Sequence, residues 1–598
     1  MPKQIVKFLD DLSPSDLKLK DLPRKPDSLH NLSFDEYGRE VKRKGYSKYN
    51  TTSLGISHKI TGLHRFYRQD TSSKEFLCAW NTKLYKIAET TPWGATALLS
   101  KAATDYTQTA DADTYFATFA NHCYIANGED NLHKYNGTYV RSVGMTVPDA
   151  PTDETTRPAG ELSEGVYYFC YTFVDEDGYE SNGGTASAAI TVGAGENGIR
   201  IDIAVSADDK VTKRRIYRTT VGGSIYYYDG EVNNVVITYD SIIADSAISF
   251  KSILHTDHNA PPAFPSLMVK RLSRLNIAVN DDLYVSKNYD KTTGSRSVEY
   301  FPPYNYFPTG NGQKITGLIE QLNQLPVFTE NTIERLVGTD EVNFEYRNAH
   351  QEDGCIAKRS TVNCKNYVVY LAFNGIYIFD GVSAKAIDFA FDGRLNKYIR
   401  ENINYSYAHL SCATYFDNKY LLCIPTGESE VPNITIYFDF ETKSYGVYSF
   451  AFSCFSKWDK GGDGLSLKGG SNTIGRIYKV FSGLDDDGAA ITAYDDIEPL
   501  DFGSPEVYKQ FYSIFIKIKS TDATTLTMNY TLDDATEVTS QTKTIEANKT
   551  KWYRVSLASG GNRGRAIAPR PYISDKFYFE IHGLAFCFDV ETFAEEKE

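Results

Sequence analysis

Long apolar runs are missing from this 598-residue chain, and so is any pair of cysteines two residues apart. The first absence leaves nothing of the roughly 20 residues that a membrane-spanning helix requires. The nine cysteines are an odd number with no framework, which predicts reduced thiols rather than a disulfide scaffold. Met1-Pro2-Lys3-Gln4-Ile5 is not followed by the apolar core of a signal peptide, so the expectation is a chain made and folded in a cytoplasm. Helical periodicity is scarce as well. No GxSxG elbow, P-loop or GxGxxG after a strand is present, and no Ser-x-Asp-x-Gly-x-Thr-Trp turn of the sialidase type. No catalytic residue, cofactor or metal is expected, and the chain is read as a non-enzyme.

Aromatic residues are abundant: 44 Tyr, 33 Phe and 4 Trp. Tyr and Phe favour strands, so an all-β chain follows. Tyr also suits subunit interfaces, where its ring is buried and its hydroxyl stays satisfied. The length calls for several domains. Net charge is −14, unevenly spread: residues 1–50 hold 11 Lys+Arg against 8 Asp+Glu, so the remainder carries −17. An acidic body lacks the cationic stripe that grips phosphates, and suits a surface that nucleic acid passes without sticking.

A small unit recurs. An apolar run meets a polar turn, and a second run opens with an aliphatic–aromatic pair. Asn81-Thr82-Lys83-Leu84-Tyr85, Asn127-Gly128 leading to Leu132, Asn280-Asp281-Asp282-Leu283-Tyr284 and Asn331-Thr332-Ile333 are copies. Asn374-Gly375-Ile376-Tyr377, Asp417-Asn418-Lys419-Tyr420 and Gly475-Arg476-Ile477-Tyr478 complete the set. Asn, Asp and Gly tolerate the positive φ of such turns. Leu84 to Leu132 is 48 residues, Leu283 to Ile333 is 50, and the next intervals are 43, 44 and 57. Four-stranded propeller blades repeat at roughly 40–50 residues. The interval Leu132 to Leu283 is 151, which leaves room for one blade and a guest of about 100 residues, the size of a β-sandwich.

The reading is therefore a β-propeller of about seven blades, within a range of six to eight, with an inserted β-sandwich and a second sandwich at the end. Residues 1–50 read as an extended arm that docks on a neighbour, closes the ring or stays a partly mobile terminus. Residues 51–145 and 263–500 hold the blades, 146–262 the insert and 501–598 the last sandwich. In the insert, 165–173 reads as one strand and 175–181 as a hairpin turn. Near the end, 577–581 and 584–588 read as separate strands, and 595–598 as disordered. Cys412 and Cys423 lie equally far from the Asp417-Asn418 turn, which predicts facing free thiols.

Three motifs invite a metal. His255-x-x-His258 lacks a third ligand close in sequence and sits at a domain exit. Asp175-x-Asp177-Gly178 lacks the later ligands of a calcium loop. Asp485-Asp486-Asp487-Gly488 reads as an acidic surface loop.

Residues 165–181 followed by Arg215-Ile216-Tyr217-Arg218-Thr219 resemble the fibronectin-III-like insert of phage tail proteins. A further series keeps one order: Arg274-Leu275-Asn276-Ile277-Ala278, Leu283-Tyr284-Val285-Ser286, Ile315-Thr316-Gly317-Leu318, Leu325-Pro326-Val327-Phe328-Thr329-Glu330-Asn331, Gly354-Cys355-Ile356-Ala357 and Asn374-Gly375-Ile376-Tyr377-Ile378-Phe379-Asp380-Gly381. The series is similar to the packaged-DNA stabilisation, or tail nozzle and hub, proteins of short-tailed bacteriophages, over residues 140–480. The resemblance implies a structural virion protein assembled in the host cytoplasm. It implies a homo-oligomeric ring, commonly of six copies, below the portal and adaptor rings. Such a ring extends the DNA channel, retains packaged double-stranded DNA until ejection, and carries fibres, spikes or a needle. No site residue transfers. The rival readings are a carbohydrate-binding or carbohydrate-cleaving receptor-recognition propeller of a tail, and an adhesion scaffold.

Overall fold

A computed structural model describes residues 5–10, 19, 22, 24–88, 94–289, 297–388, 393–459, 464–533, 535, 538–558 and 562–591. The chain is all-β. Among these residues, seven antiparallel meanders of four strands follow one another. Their first strands are Ile60–Arg68, Tyr115–Phe119, Leu267–Arg271, Gly317–Leu318, Val362–Cys364, Cys412–Phe416 and Cys454–Asp459. We number the meanders one to seven in that order.

Apolar side chains fill the spaces between neighbouring meanders, and the fillings close a cycle. Phe66 and Leu84 of the first meet Ile125 and Tyr135 of the second. Tyr124 meets Leu275 and Ile277 of the third, and Leu283 meets Leu325 and Leu336 of the fourth. Phe328 packs on Tyr370 of the fifth, and Leu371 on Leu422 of the sixth. Tyr437 and Tyr448 share a core with Leu467 of the seventh. Trp458 of the seventh then returns to Phe76 of the first, with ring centroids 5.2 Å apart.

The predicted turns explain most of the repeat. Asn81 and Asn280 take positive φ between the second and third strands of their meanders, and Gly375, also at positive φ, opens the third strand of the fifth. Asp417-Asn418 breaks the pattern. Both residues have positive φ, but the turn joins the first and second strands, Cys412–Phe416 and Lys419–Ile424. The equivalent turn of the sixth meander is the long connection ahead of Ile434–Asp439, and this strand slip is why the last spacing came out at 57. Cys412 does face Cys423, and all nine cysteines are free and buried.

The arm turns inward on its own chain. Tyr46–Lys48 pairs with Ile477–Val480 and supplies the fourth strand of the seventh meander. Arg24–His30 lies between Ser444–Tyr448 and Ile491–Ile497, merging the sixth meander into a nine-stranded sheet with the C-terminal strands. Ile5–Asp10 and Glu40–Lys42 both pair with Phe579–Val590. Leu19, Leu22 and Leu29 are buried with Ile514, Leu526 and Phe586. The boundary expected at 500 is therefore crossed by pairing, since Ile491–Ile497 is a partner of Ile567–Asp575.

Two further expectations need correction, and a third holds. Residues 165–173 form two strands in different sheets, Gly165–Tyr167 and Phe169–Asp175. The turn at 175–181 is the hairpin expected: Val174 bridges Glu180, Asp175 N donates to the Tyr179 carbonyl at 2.9 Å and Ser181 N to the Phe173 carbonyl at 2.9 Å, while the other edge of Phe169–Asp175 pairs with Val211–Thr219. Residues 577–588 hold one strand, Phe579–Val590, bent by a bulge opposite Lys517 and Ile518. Sequence reading also passed over the helix Arg394–Asn402, whose Leu395 and Ile399 cover the fifth and sixth meanders. Residues 595–598 lie outside the described residues.

Residues 152–241 form three small sheets around their own core of Tyr167, Phe169, Tyr171, Ile201 and Ile216. A buried charge network fastens them to the second meander. Lys134, almost wholly buried, meets Glu299 at 2.5 Å and Asp177 at 2.9 Å, and Arg141 meets Asp175 at 3.1 Å. The Asp175-x-Asp177 turn is thus neutralised by the chain's own cations.

Ring closure rests on Arg43 as much as on the strand beside it. Its buried guanidinium binds Asp486 at 2.6 Å, donates to Asn31 Oδ1 at 2.6 Å, and lies 4.7 Å from the centre of the Phe450 ring. Arg43→Met leaves Asp486 and Asn31 without that partner, so a loss of about 3–5 kcal/mol is expected. A lower unfolding midpoint in urea checks this, and an unchanged midpoint contradicts it.

Candidate functional site

The cycle encloses a cavity of about 240 Å³ bordered by residues from, or leading into, all seven first strands, among them His64, Tyr115, Met268, Leu318, Arg359, Ala413 and Phe455. Gly62 belongs to this wall. A Cβ there would stand 2.6 Å from the Thr114 carbonyl oxygen, so only glycine lets the first two meanders approach so closely.

Arg359 enters from the segment before the fifth meander and reaches across the centre. It donates to the carbonyls of Thr61, of Ser453 at 3.1 Å and of Thr114 at 3.4 Å. Its own carbonyl accepts from Ala413 N at 2.9 Å. One residue therefore joins meanders one, two, five, six and seven. Its charge is met by Asp113 at 3.5 Å, which also holds Lys59 at 2.8 Å, and its guanidinium lies 5.3 Å from the centre of the Tyr115 ring. Burial by itself would push the Asp113 carboxyl up, but Arg359 and Lys59 outweigh it and hold the group below its ordinary value. Arg359 is likewise pushed up: Asp113 and Tyr115 prevail over desolvation. The guanidinium fork suits this task, since five donors can serve several carbonyls at once.

Burial lowers the ammonium of Lys358, which also lines the cavity, while the histidine and thiols there are quiet. Burial first, then Arg65, lowers His64 to about 4, and its Nε2 lies 2.8 Å from Thr118 Oγ1. Burial pushes the Cys454 thiol up, which keeps it protonated and a poor nucleophile. The Cys412 thiol, raised by burial and by its neighbour Cys423, lies 2.9 Å from the Phe452 carbonyl. The cavity is built as a fastening.

The sequence-level metal candidates are dispersed. In the acidic loop, Asp486 holds Arg43 and Asp487 holds Lys48 at 2.9 Å, while Asp485 accepts from Gly488 N at 2.8 Å. Asp175 and Asp177 are taken up by Lys134 and Arg141. Only His255 and His258 gain a third potential ligand, Asp257. Arg359, Asp113 and Lys59 went unnoticed in the sequence. Asp113 and Arg359 are 246 positions apart, and nothing local marks them.

No protein-family model matches the chain, and no curated protein matches it in sequence. Among solved structures, apo AztD from Citrobacter koseri aligns at 9% identity and a TM-score of 0.29, covering 65% of this chain and 86% of its own. The exo-β-1,3-galactanase of Phanerochaete chrysosporium aligns at 7% and 0.17, covering 82% and 98%. The extracellular domain of the hybrid two-component system BT4673 from B. thetaiotaomicron aligns at 9% and 0.23, covering 90% and 79%. Superpositions this loose carry no argument about activity. No helix among the described residues is long and apolar enough to cross a membrane.

Arg359→Met should leave the Thr114 and Ser453 carbonyls without this donor and Asp113 with Lys59 as its remaining cation, at a cost of about 3–5 kcal/mol. Arg359→Lys keeps the charge but not the fork, and should recover only part of it. Thermal melting of the two variants tests this; equal stability of Arg359→Met and the parent contradicts the fastening role.

A pH dependence follows from two histidines. Burial is the largest cause of lowering for both His30 and His64, each held at about 4 against an ordinary value of 6.5. A lowered base is neutral in the fold and binds its proton more readily when unfolded. Its contribution is complete above about 6.5 and is lost as pH falls towards about 4. The melting temperature should therefore drop over that window, and His64→Gln should drop less. Equal acid sensitivity of parent and variant counts against it.

Proposed function

We propose that the seven meanders are the blades of a β-propeller, that residues 146–262 are an inserted fibronectin-III-like sandwich, and that the chain is a non-enzymatic tail protein of a short-tailed bacteriophage. In this reading it forms a nozzle or hub ring below the portal and adaptor. The ring surrounds the DNA path, retains the packaged genome and anchors fibres or other tail parts.

The observation that carries the reading is one of order. The stretches with the family resemblance, from Arg274 to Gly381, run consecutively through the third, fourth and fifth meanders. Those at 165–181 and 215–219 lie largely on paired strands of the small sheets between the second and third. The cavity at the axis adds a constraint. At about 240 Å³ and crossed by Arg359, it admits no duplex, whose major groove alone is about 12 Å wide. DNA would pass through the centre of a ring of copies, along outer surfaces of this chain. The net charge of −14 suits a wall that lets phosphates slide.

The test is assembly. Native mass spectrometry and negative-stain imaging of the chain with its adaptor should show closed rings, commonly of six copies, with an open centre. Free DNA should bind only weakly at physiological salt. Monomers that bind or turn over host polysaccharide would instead support the receptor-recognition reading and overturn this one.

A further inference from the structure

Residues 255–262 lead out of the small sheets of 152–241 and into the third meander. Here three potential ligands converge: one nitrogen each from His255 and His258 and a carboxylate oxygen from Asp257, all within 4.8 Å of one another. We infer that this trio is a binding site for a borderline divalent transition-metal ion of the zinc, nickel or cobalt class. Two imidazoles and one carboxylate match the ligand preference of such ions, and leave further coordination positions for water or another ligand.

The surroundings are built rather than incidental. The ring of His258 is stacked on Tyr300 with centroids 3.8 Å apart, and the ring of His255 stacks on His258 at 4.4 Å. Stacked rings aim their in-plane lone pairs along separate planes, so the exposed His255 ring has to turn out of the stack for both nitrogens to meet one ion. The backbone of His258 donates to Asn182 Oδ1 at 2.8 Å, and Phe301 N donates to the Asn259 carbonyl at 2.9 Å. The loop is thus pinned on both sides while His255 stays exposed. Nδ1 of His258 is buried and has no hydrogen-bond partner. A buried ring nitrogen without a partner is unfavourable in either tautomer, and a metal on its unprotonated form would satisfy it.

Asp257 supports the same assignment. Lys287 and Tyr304 both engage its Oδ2, the tyrosine hydroxyl donating at 3.2 Å, and Oδ1 is left for an ion. Tyr304 then acts as an outer partner that orients the ligand. The Lys287 ammonium marks a place where positive charge is already favoured, and it competes with an incoming cation. The other acidic turns differ in degree: Asp486 is held by Arg43, and Asp177 by Lys134 and Arg141 together with a single imidazole, His122, at 3.4 Å. The expectation that His255-x-x-His258 lacks a third ligand close in sequence is corrected, since Asp257 lies between the two histidines.

The test uses the full chain without a polyhistidine tag, titrated with Co²⁺ and with Zn²⁺. One equivalent of Co²⁺ should produce a visible absorption band that Zn²⁺ bleaches. Zn²⁺ should raise the melting temperature, as expected of a ligand of the folded state. His255→Ala removes an exposed ligand without touching the core, and should weaken binding at least tenfold and abolish the thermal shift. Asp257→Asn should act likewise. Tyr304→Phe should cost roughly 10–100-fold in affinity, and Lys287→Met should tighten binding. Absence of saturable binding in the parent overturns the site. So does binding that survives His255→Ala and Asp257→Asn unchanged, since the ion would then sit on other histidines.

Discussion

A cycle of sheets has no natural end, and everything in this chain depends on how the last meander meets the first. The seventh meander has three strands of its own and takes its fourth, Tyr46–Lys48, from more than 400 positions earlier. Without that strand, Ile477–Val480 would be an open edge, with unpaired backbone groups ready to join another chain. Closure also sets the folding problem. The contacts that complete the ring are among the most distant in sequence, so loop-closure entropy opposes them until the remaining meanders are in place. Arg43 and Asp486 meet beside the borrowed strand, where a charged pair shielded from water adds most to a contact that starts at such a disadvantage.

The axis presents the opposite difficulty. Seven first strands converge there, around a cavity of about 240 Å³. Arg359 meets three backbone carbonyls there at once. Its charge would be costly in such a place without Asp113, and the carboxylate in turn is steadied by Lys59. The result is a narrow hub crossed by a side chain, which directs any interaction with a large partner to the outer surfaces.

What was legible in the sequence was local. Asn81, Asn280 and Gly375 mark tight turns because few other residues adopt positive φ without strain, so the meander repeat could be counted from them. The 151-residue gap revealed the small sheets between Leu132 and Leu283. The facing of Cys412 and Cys423 followed from turn arithmetic. Where reading failed, two local patterns were alike. Asp417-Asn418 makes the same kind of turn as its counterparts but one strand earlier, and nothing in its residues tells the first hairpin of a meander from the second. The arm, the axial arginine and the crossing at Ile491–Ile497 depend on partners hundreds of positions away, which periodicity cannot register.

Acidic turns show how the same residue types come to differ in what they can hold. Asp486, Asp487, Asp175 and Asp177 look like cation sites in the sequence, yet each faces a lysine or arginine brought from another element. Their charge is spent on joining parts of the fold: the arm to the seventh meander, and the small sheets to the second. Asp257 has one such partner on one oxygen, and imidazoles on either side in the chain. A carboxylate in a neutral network offers an ion little, because the ion must first displace an ammonium or guanidinium that is held by several bonds. A half-engaged carboxylate beside two neutral nitrogens presents a much smaller barrier. The distinction lies in what faces the acid across the fold, and the acid's own motif does not carry it.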